Sequence, residues 1–192
     1  MFVNFPQVSL TEWHPFSISS GTEENEIELN IKGIGNFTEK LVRSAQEAKQ
    51  MSIRVDGPYG NLNINHYNYP VVFLVVGGIG ITPALSILKD FYLSKKARSS
   101  SVQTVYLIWT VPSQDSYQWF SKDIEQFQEL SQSKAAPKFK PMIYITRSKE
   151  ASEGIFYQGR PNYEDLLKRS LVENWYNKTF GNNTPRTDVS NL

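Results

Sequence analysis

Six consecutive residues, Val71-Val72-Phe73-Leu74-Val75-Val76, carry only aliphatic or aromatic side chains, and a glycine-rich turn follows at once. Such a continuous run is the pattern of a strand covered on both faces, which belongs to parallel sheets flanked by helices. The turn Gly78-Ile79-Gly80-Ile81-Thr82-Pro83 opens a helical stretch over about 82–96, with Pro83 in the first turn, where its missing N–H is harmless. Residues 102–109 then read as a strand, 116–130 as a helix, 142–146 as a strand and 161–171 as a last helix. Three strand–helix alternations predict a parallel sheet of the α/β class.

The first third follows another period. Glu26-Ile27-Glu28-Leu29-Asn30-Ile31-Lys32 alternates polar and apolar, as does Met51-Ser52-Ile53-Arg54-Val55, which stops at the turn signal Asp56-Gly57-Pro58-Tyr59-Gly60. Between them, 38–50 places Leu41, Val42, Ala45 and Ala48 on one side of a helix, with Thr38 as its N-cap. This predicts an α+β half of half-buried antiparallel strands and one helix, too short to close a barrel. The expected division is 1–67, then 68–176, then a disordered tail over 177–192; 61–70 reads as the linker, and 94–101 and 131–141 as solvated loops.

Several classes of function are excluded. The chain has no cysteine, so disulfide frameworks, iron–sulfur clusters, thiolate zinc sites and cysteine nucleophiles do not arise. Two histidines, His14 and His66, cannot form a His-rich metal site. A net charge of +1 provides no field for nucleic acid. No apolar run is long enough for a membrane span and the N-terminus lacks a signal-peptide pattern, so the chain itself reads as soluble and cytosolic. Hydrolase, metalloprotease, P-loop and EF-hand motifs are missing, and no residue is singled out as catalytic or as a metal ligand.

Four segments could hold a ligand, and each has a plainer alternative. The turn at Gly78–Pro83 lets backbone approach an anion at a helix N-terminus, or is an ordinary tight turn. Trp13-His14-Pro15-Phe16-Ser17 could hold a flat heteroaromatic ring, with Phe16 stacking, Ser17 hydrogen-bonding a ring nitrogen and His14 near a phosphate; alone it is equally an edge strand with a buried aromatic. Gly35-Asn36-Phe37-Thr38 leads into the first helix, as an anion site or as simple capping. Arg147, at the end of a strand, and Arg160, before a helix, could each grip a phosphate, or be surface charge.

In succession, His14-Pro15-Phe16-Ser17, Gly35-Asn36-Phe37-Thr38, Asp56-Gly57-Pro58-Tyr59-Gly60, Gly78–Pro83, Trp119-Phe120 and Gly159-Arg160-Pro161-Asn162-Tyr163 resemble the dehydrogenase region of the NADPH oxidase and ferric reductase family, within the ferredoxin-reductase-like flavoproteins. The resemblance runs from about Pro6 to Arg169. It implies a partial antiparallel FAD-binding β-barrel followed by a Rossmann-like, NAD(P)H-binding parallel sheet flanked by helices. By resemblance, His14, Pro15, Phe16 and Ser17 lie beside the isoalloxazine, and Gly35, Phe37 and Thr38 cradle the FAD pyrophosphate. Gly78, Gly80, Thr82 and Pro83 receive the nicotinamide nucleotide's pyrophosphate, and Arg160 approaches the 2′-phosphate of NADPH.

The implied reaction is hydride transfer from NADPH, with NADH as the other candidate, to flavin. Electrons then pass to the haem-bearing transmembrane domain of a parent protein and on to oxygen or ferric iron, with this region on the cytosolic face. Three departures stand out. Only about thirteen residues precede the His-Pro-Phe segment, the family's late Cys-Gly-Pro segment is missing, and Thr110-Val111-Pro112 stands where NADPH-selective members place an arginine. The rival readings are a non-catalytic homologue acting as a binding or regulatory module and a soluble diaphorase.

Overall fold

In a computed structural model, the described residues are all except 48–49, 61, 63, 96–99, 148–153 and 181–192. They build two sheets. The N-terminal sheet contains β1 (Phe2–Asn4), β2 (His14–Pro15) and β3 (Arg54–Asp56) in the antiparallel order β2-β1-β3. Mutual hydrogen bonds between Met1 and Phe16 extend its β1–β2 ladder by one step, each 2.9 Å. Helix α1 (Asn36–Glu47) buries Phe37 and Leu41, four residues apart on one face. The C-terminal sheet contains β4 (Val71–Gly77), β5 (Thr104–Val111), β6 (Lys138–Ile145) and β7 (Phe156–Gln158), all parallel and in chain order. Its helices are α2 (Ile81–Tyr92), α3 (Gln114–Gln118), α4 (Ser121–Leu130) and α5 (Tyr163–Phe180).

Strand alternation divides this second sheet into two faces. Val105, Leu107, Trp109 and Val111 stand beside Phe139, Pro141, Ile143 and Ile145. Most of them form one core with Leu85 and Leu88 of α2, Tyr117 of α3 and Ile124 and Phe127 of α4. The opposite face is aromatic. Phe73 stacks on Tyr106 at 4.7 Å, Lys140 Nζ lies 5.3 Å from the Tyr106 ring and pairs with Glu173 of α5, and Tyr144 stacks on Tyr157 at 5.0 Å.

Four differences from the sequence reading have physical causes. The apolar run of β4 is an edge strand, not one covered on both faces, and Val75 is 50% exposed. The strand buried on both faces is β5, because it lies between β4 and β6. The alternating segment 26–32 forms no strand, only an Ile18–Leu29 bridge; beside it the Glu28 N–H donates to the Ser20 hydroxyl instead of to a ladder carbonyl. β6 starts earlier than expected and runs through Pro141; β7 pairs only with Ile143–Ile145, so Pro141 occupies an edge position that tolerates a missing donor.

The helices also differ in extent. The expected helix over 116–130 breaks at Trp119-Phe120, which turns Phe120 into the core and leaves Trp119 58% exposed. Helix α2 ends at Tyr92, and α5 continues to Phe180, past the start of the expected disordered tail; the rest of that tail lies outside the described residues. No helix among the described residues is long and apolar enough to cross a membrane, and no group of three His, Asp or Glu side chains there could hold a metal ion.

Candidate functional site

The candidate residues fall into two groups, one on each half. On the N-terminal half, β2 carries His14 and Pro15, and the His14 ring stacks on Phe37 at 3.9 Å with a 27° interplanar angle. Two residues 23 positions apart in sequence therefore meet through their rings. Glu12 Oε2 lies 3.3 Å from His14 Nε2. Phe16 is half-buried and Ser17 exposed.

Helix α1 begins at Asn36, so Thr38 is not its N-cap but sits in the first turn. Its hydroxyl accepts the Ile34 and Gly35 N–H groups at 3.0 and 3.1 Å, the reach-back half of a capping box. A Cβ on Gly35 would meet nothing within 4 Å, so space is open beside a helix N-terminus with its unpaired N–H groups and partial positive charge.

The second group lies along the C-terminal edge of the parallel sheet, the edge where open α/β sheets bind ligands. After β4 the chain makes a 3-10 turn over Gly78–Gly80 and enters α2 at Ile81. Gly78 has φ of +50°, a conformation that favours glycine. A Cβ on Gly77, Gly78 or Gly80 would meet nothing within 4 Å. The turn is braced from within: Trp109 Nε1 donates to the Gly78 carbonyl at 2.9 Å, and the Thr82 hydroxyl donates to the Ile79 carbonyl at 3.2 Å. Thr82 is thus buried and holds the turn's shape. Pro83 occupies the first turn of α2, as its fixed φ favours.

Arg147 and Arg160 reach the same edge from β6 and β7. The Arg147 N–H donates to the Pro112 carbonyl at 3.2 Å, and the Gly159 N–H donates to the Ile145 carbonyl at 2.9 Å. The chain ends of β5, β6 and β7 are therefore laced together, and both arginines are exposed beside them. Residues 78, 147 and 160, far apart in sequence, share one rim of one sheet.

Between the halves lies a cavity of about 590 Å³, lined by Lys32, Val42 and Arg43 on one side and Ile79, Trp119 and Phe120 on the other. Lys32 Nζ lies 5.7 Å from the Trp119 ring centroid, a cation–π contact across it. The cavity opens against the glycine turn through Ile79. The motif Trp119-Phe120 was legible in the sequence, but its partner Lys32 carried no local signal. The Trp109 bond to Gly78 was equally hidden, since it joins positions 31 residues apart.

Both halves of the chain resemble known proteins. The family described as "Ferric reductase NAD binding domain" matches residues 69–156, and that described as "FAD-binding domain" matches residues 1–63. NADPH oxidase 1 of Rattus norvegicus is 33% identical over 143 residues, covering 72% of this chain and 25% of the relative. The mitochondrial ferric reduction oxidase 8 of Arabidopsis thaliana is 39% identical over 120 residues, covering 58% of this chain and 16% of the relative. The chain thus spans a quarter or less of either relative. Among solved structures, a ferredoxin-NADP+ reductase from Plasmodium falciparum superposes with a TM-score of 0.57 at 15% identity, covering 92% of this chain and 68% of that one. The flavohem-like FAD/NAD-binding domain of a Vibrio cholerae nitric oxide dioxygenase gives 0.54 at 14% identity, covering 90% and 78%. These likenesses show the fold: an antiparallel sheet followed by a helix-flanked parallel sheet.

Proposed function

The chain belongs to the family of NADPH oxidases and ferric reductases, as an FAD-binding domain joined to a nicotinamide-nucleotide-binding domain, and from that premise we propose that it carries electrons from NADPH through FAD toward a haem-bearing transmembrane domain. In the whole protein the region lies on the cytosolic face, and the final acceptor is oxygen or ferric iron. We also place the division between the two domains at 67/68.

The observation that carries this reading is the glycine turn after β4, with open space at Gly77, Gly78 and Gly80 on the rim shared by Arg147 and Arg160. A dinucleotide pyrophosphate fits such a turn because backbone N–H groups and a helix N-terminus meet it without an intervening side chain. FAD fits the other half: Gly35 leaves the start of α1 uncovered for its pyrophosphate, and the ring segment His14–Ser17 is anchored by the His14–Phe37 stack. When bound, the nicotinamide and flavin supply the hydride and electron chemistry, and the protein supplies orientation and electrostatics. Gly78, Gly80 and Pro83 shape the phosphate cradle, while Thr82 braces it from within. Arg160 neutralises charge at the adenosine end. Hydride transfer asks no side chain to act as a general base.

Nucleotide preference tests the arginine. Pro112 offers no charge after β5, so discrimination for a 2′-phosphate falls to Arg160, with Arg147 as its neighbour on the rim. A charge-assisted hydrogen bond contributes about 1.5–3 kcal/mol. Arg160→Ala is expected to weaken NADPH binding about tenfold or more and to leave NADH binding nearly unchanged, as read by titrating both nucleotides into both proteins. Equal losses for the two would show that Arg160 does not read the 2′-phosphate.

Flavin affinity tests the first half. Among the described residues its sheet has three strands and does not close, leaving β2 and β3 as edges. FAD is therefore expected to bind weakly, to be lost on gel filtration and to return on titration. Stoichiometric flavin retained through purification would overturn this expectation. Failure of both FAD and NADPH to bind would favour the non-catalytic reading.

A further inference from the structure

The two halves are fastened at a place that the cofactor sites do not use. Lys89, on α2, is buried, with 9% of its side chain exposed. Its ammonium donates to Glu28 Oε2 at 2.6 Å and lies 3.7 Å from Glu24 Oε1, both on the N-terminal half. The next residue, Asp90, accepts from the Thr22 N–H and the Thr22 hydroxyl, each at 2.8 Å. Glu23 accepts the Lys95 N–H at 3.0 Å. A Cβ on Gly21 would lie 3.1 Å from Lys89 Cβ, so the segment's backbone is pressed against the helix.

We propose that Lys89 is a positioning residue: by clamping segment 21–28 of the flavin-binding half onto the helix that begins at the glycine turn, it fixes the separation of the flavin and nicotinamide sites. This rests on the function proposed above. Segment 21–28 begins four residues after Ser17, and α2 starts at the turn ascribed to the nucleotide pyrophosphate. The clamp therefore links the two sites through α2 on one side and the short connection from β2 to Glu28 on the other. A rate that depends on donor–acceptor geometry is sensitive to such a link, because a misplacement of about 1 Å costs on the order of a hundredfold.

The electrostatics agree with a permanent clamp. Burial acts to lower the Lys89 ammonium, but the Glu28 hydrogen bond and the charges of Glu28, Glu24 and Asp123 outweigh it and hold its pKa above the ordinary value. Burial likewise acts to raise Glu28, but Lys89 and Asn30 hold it below the usual carboxylate value. On α4, Asp123 is raised by burial and by the charges of Glu28 and Glu24, with Lys89 opposing. Both ends of the Lys89–Glu28 pair are therefore charged near neutral pH.

The chain has no cysteine, so two introduced ones label it uniquely. Spin labels at Ala45→Cys on α1 and Gln126→Cys on α4, both exposed positions, report the separation of the halves. The unmodified clamp is expected to give one narrow distance distribution, and Lys89→Met a broad one. Lys89→Arg is expected to restore the narrow distribution. The double variant Glu24→Ala/Glu28→Ala removes both acceptors at partly exposed positions without opening the core, and serves if Lys89→Met does not fold.

In the same proteins, NADPH affinity is expected to stay within about twofold, while flavin reduction by NADPH at saturating FAD slows about tenfold or more, the split expected of geometry rather than binding. A narrow distribution in folded Lys89→Met or in the double variant, or an unchanged reduction rate, would overturn the proposal. Should the wild-type chain bind neither FAD nor NADPH, the functional reading fails and the positioning role with it, while the distance measurement still decides whether the clamp exists.

Discussion

Gly80→Val is expected to leave the protein folded and to weaken NADPH binding by about tenfold or more, roughly 1.4 kcal/mol. Gly80 has φ of −62°, which any residue adopts, and an added Cβ meets nothing within 4 Å. The substitution therefore removes no contact and forces no strain. Its branched side chain would project into the open space at the turn, where a phosphate must approach the backbone. Gly78→Val is a poorer probe, because the φ of +50° there strains any L residue and confounds binding with stability. The measurement is a nucleotide titration alongside a thermal melt. Unchanged affinity in a folded Gly80→Val protein would remove Gly78–Pro83 from the nucleotide site.

The largest loss of stability is expected at Trp109. Its side chain is 1% exposed at the centre of β5, packs edge-on against Phe120 at 5.8 Å and lies 6.2 Å from the Tyr117 ring. Trp109→Ala should destabilise the protein by about 3–5 kcal/mol, through lost burial and the cavity left behind. Trp109→Phe separates packing from hydrogen bonding. It keeps most of the apolar volume but removes one of two donors to the Gly78 carbonyl, which still accepts the Ile81 N–H, at a cost of about 0.5–1.5 kcal/mol. Because that carbonyl belongs to the glycine turn, Trp109→Phe should also weaken NADPH binding. Denaturant unfolding of the three proteins, with titrations of the two that remain folded, measures both effects. A Trp109→Phe protein as stable as wild type and binding NADPH as tightly would show that the turn does not depend on this brace.

How much was legible depended on the range of the interaction. The glycine turn followed by a helix was readable because strand, turn and cap signals are local and contiguous in sequence. Thr38 shows the limit of such signals. A threonine before an amphipathic stretch suggests an N-cap, yet the same residue stands three positions further in, in the first turn, and only the backbone distinguishes the two. The pairing of Arg147 with Arg160 along one rim was not readable, since it follows from the register of β5, β6 and β7.

By itself the sequence determined the two classes of architecture and the parallel character of the second sheet, and it named candidate residues for phosphate and flavin. These follow from hydrophobic period, turn chemistry and motif order, all short-range properties. The tertiary structure alone decided which strand is central. Val71–Val76 reads as more apolar than residues 104–111, yet β4 lies at an edge and β5 in the middle, because burial depends on neighbours in the sheet rather than on a strand's own composition. It also decided the fate of Glu28. The alternation of 26–32 favoured a strand, but only the Ile18–Leu29 bridge forms: the Glu28 N–H turns to the Ser20 hydroxyl, and its carboxylate reaches a buried ammonium 61 residues away. That long-range charge pair, which no local pattern encodes, joins the two halves.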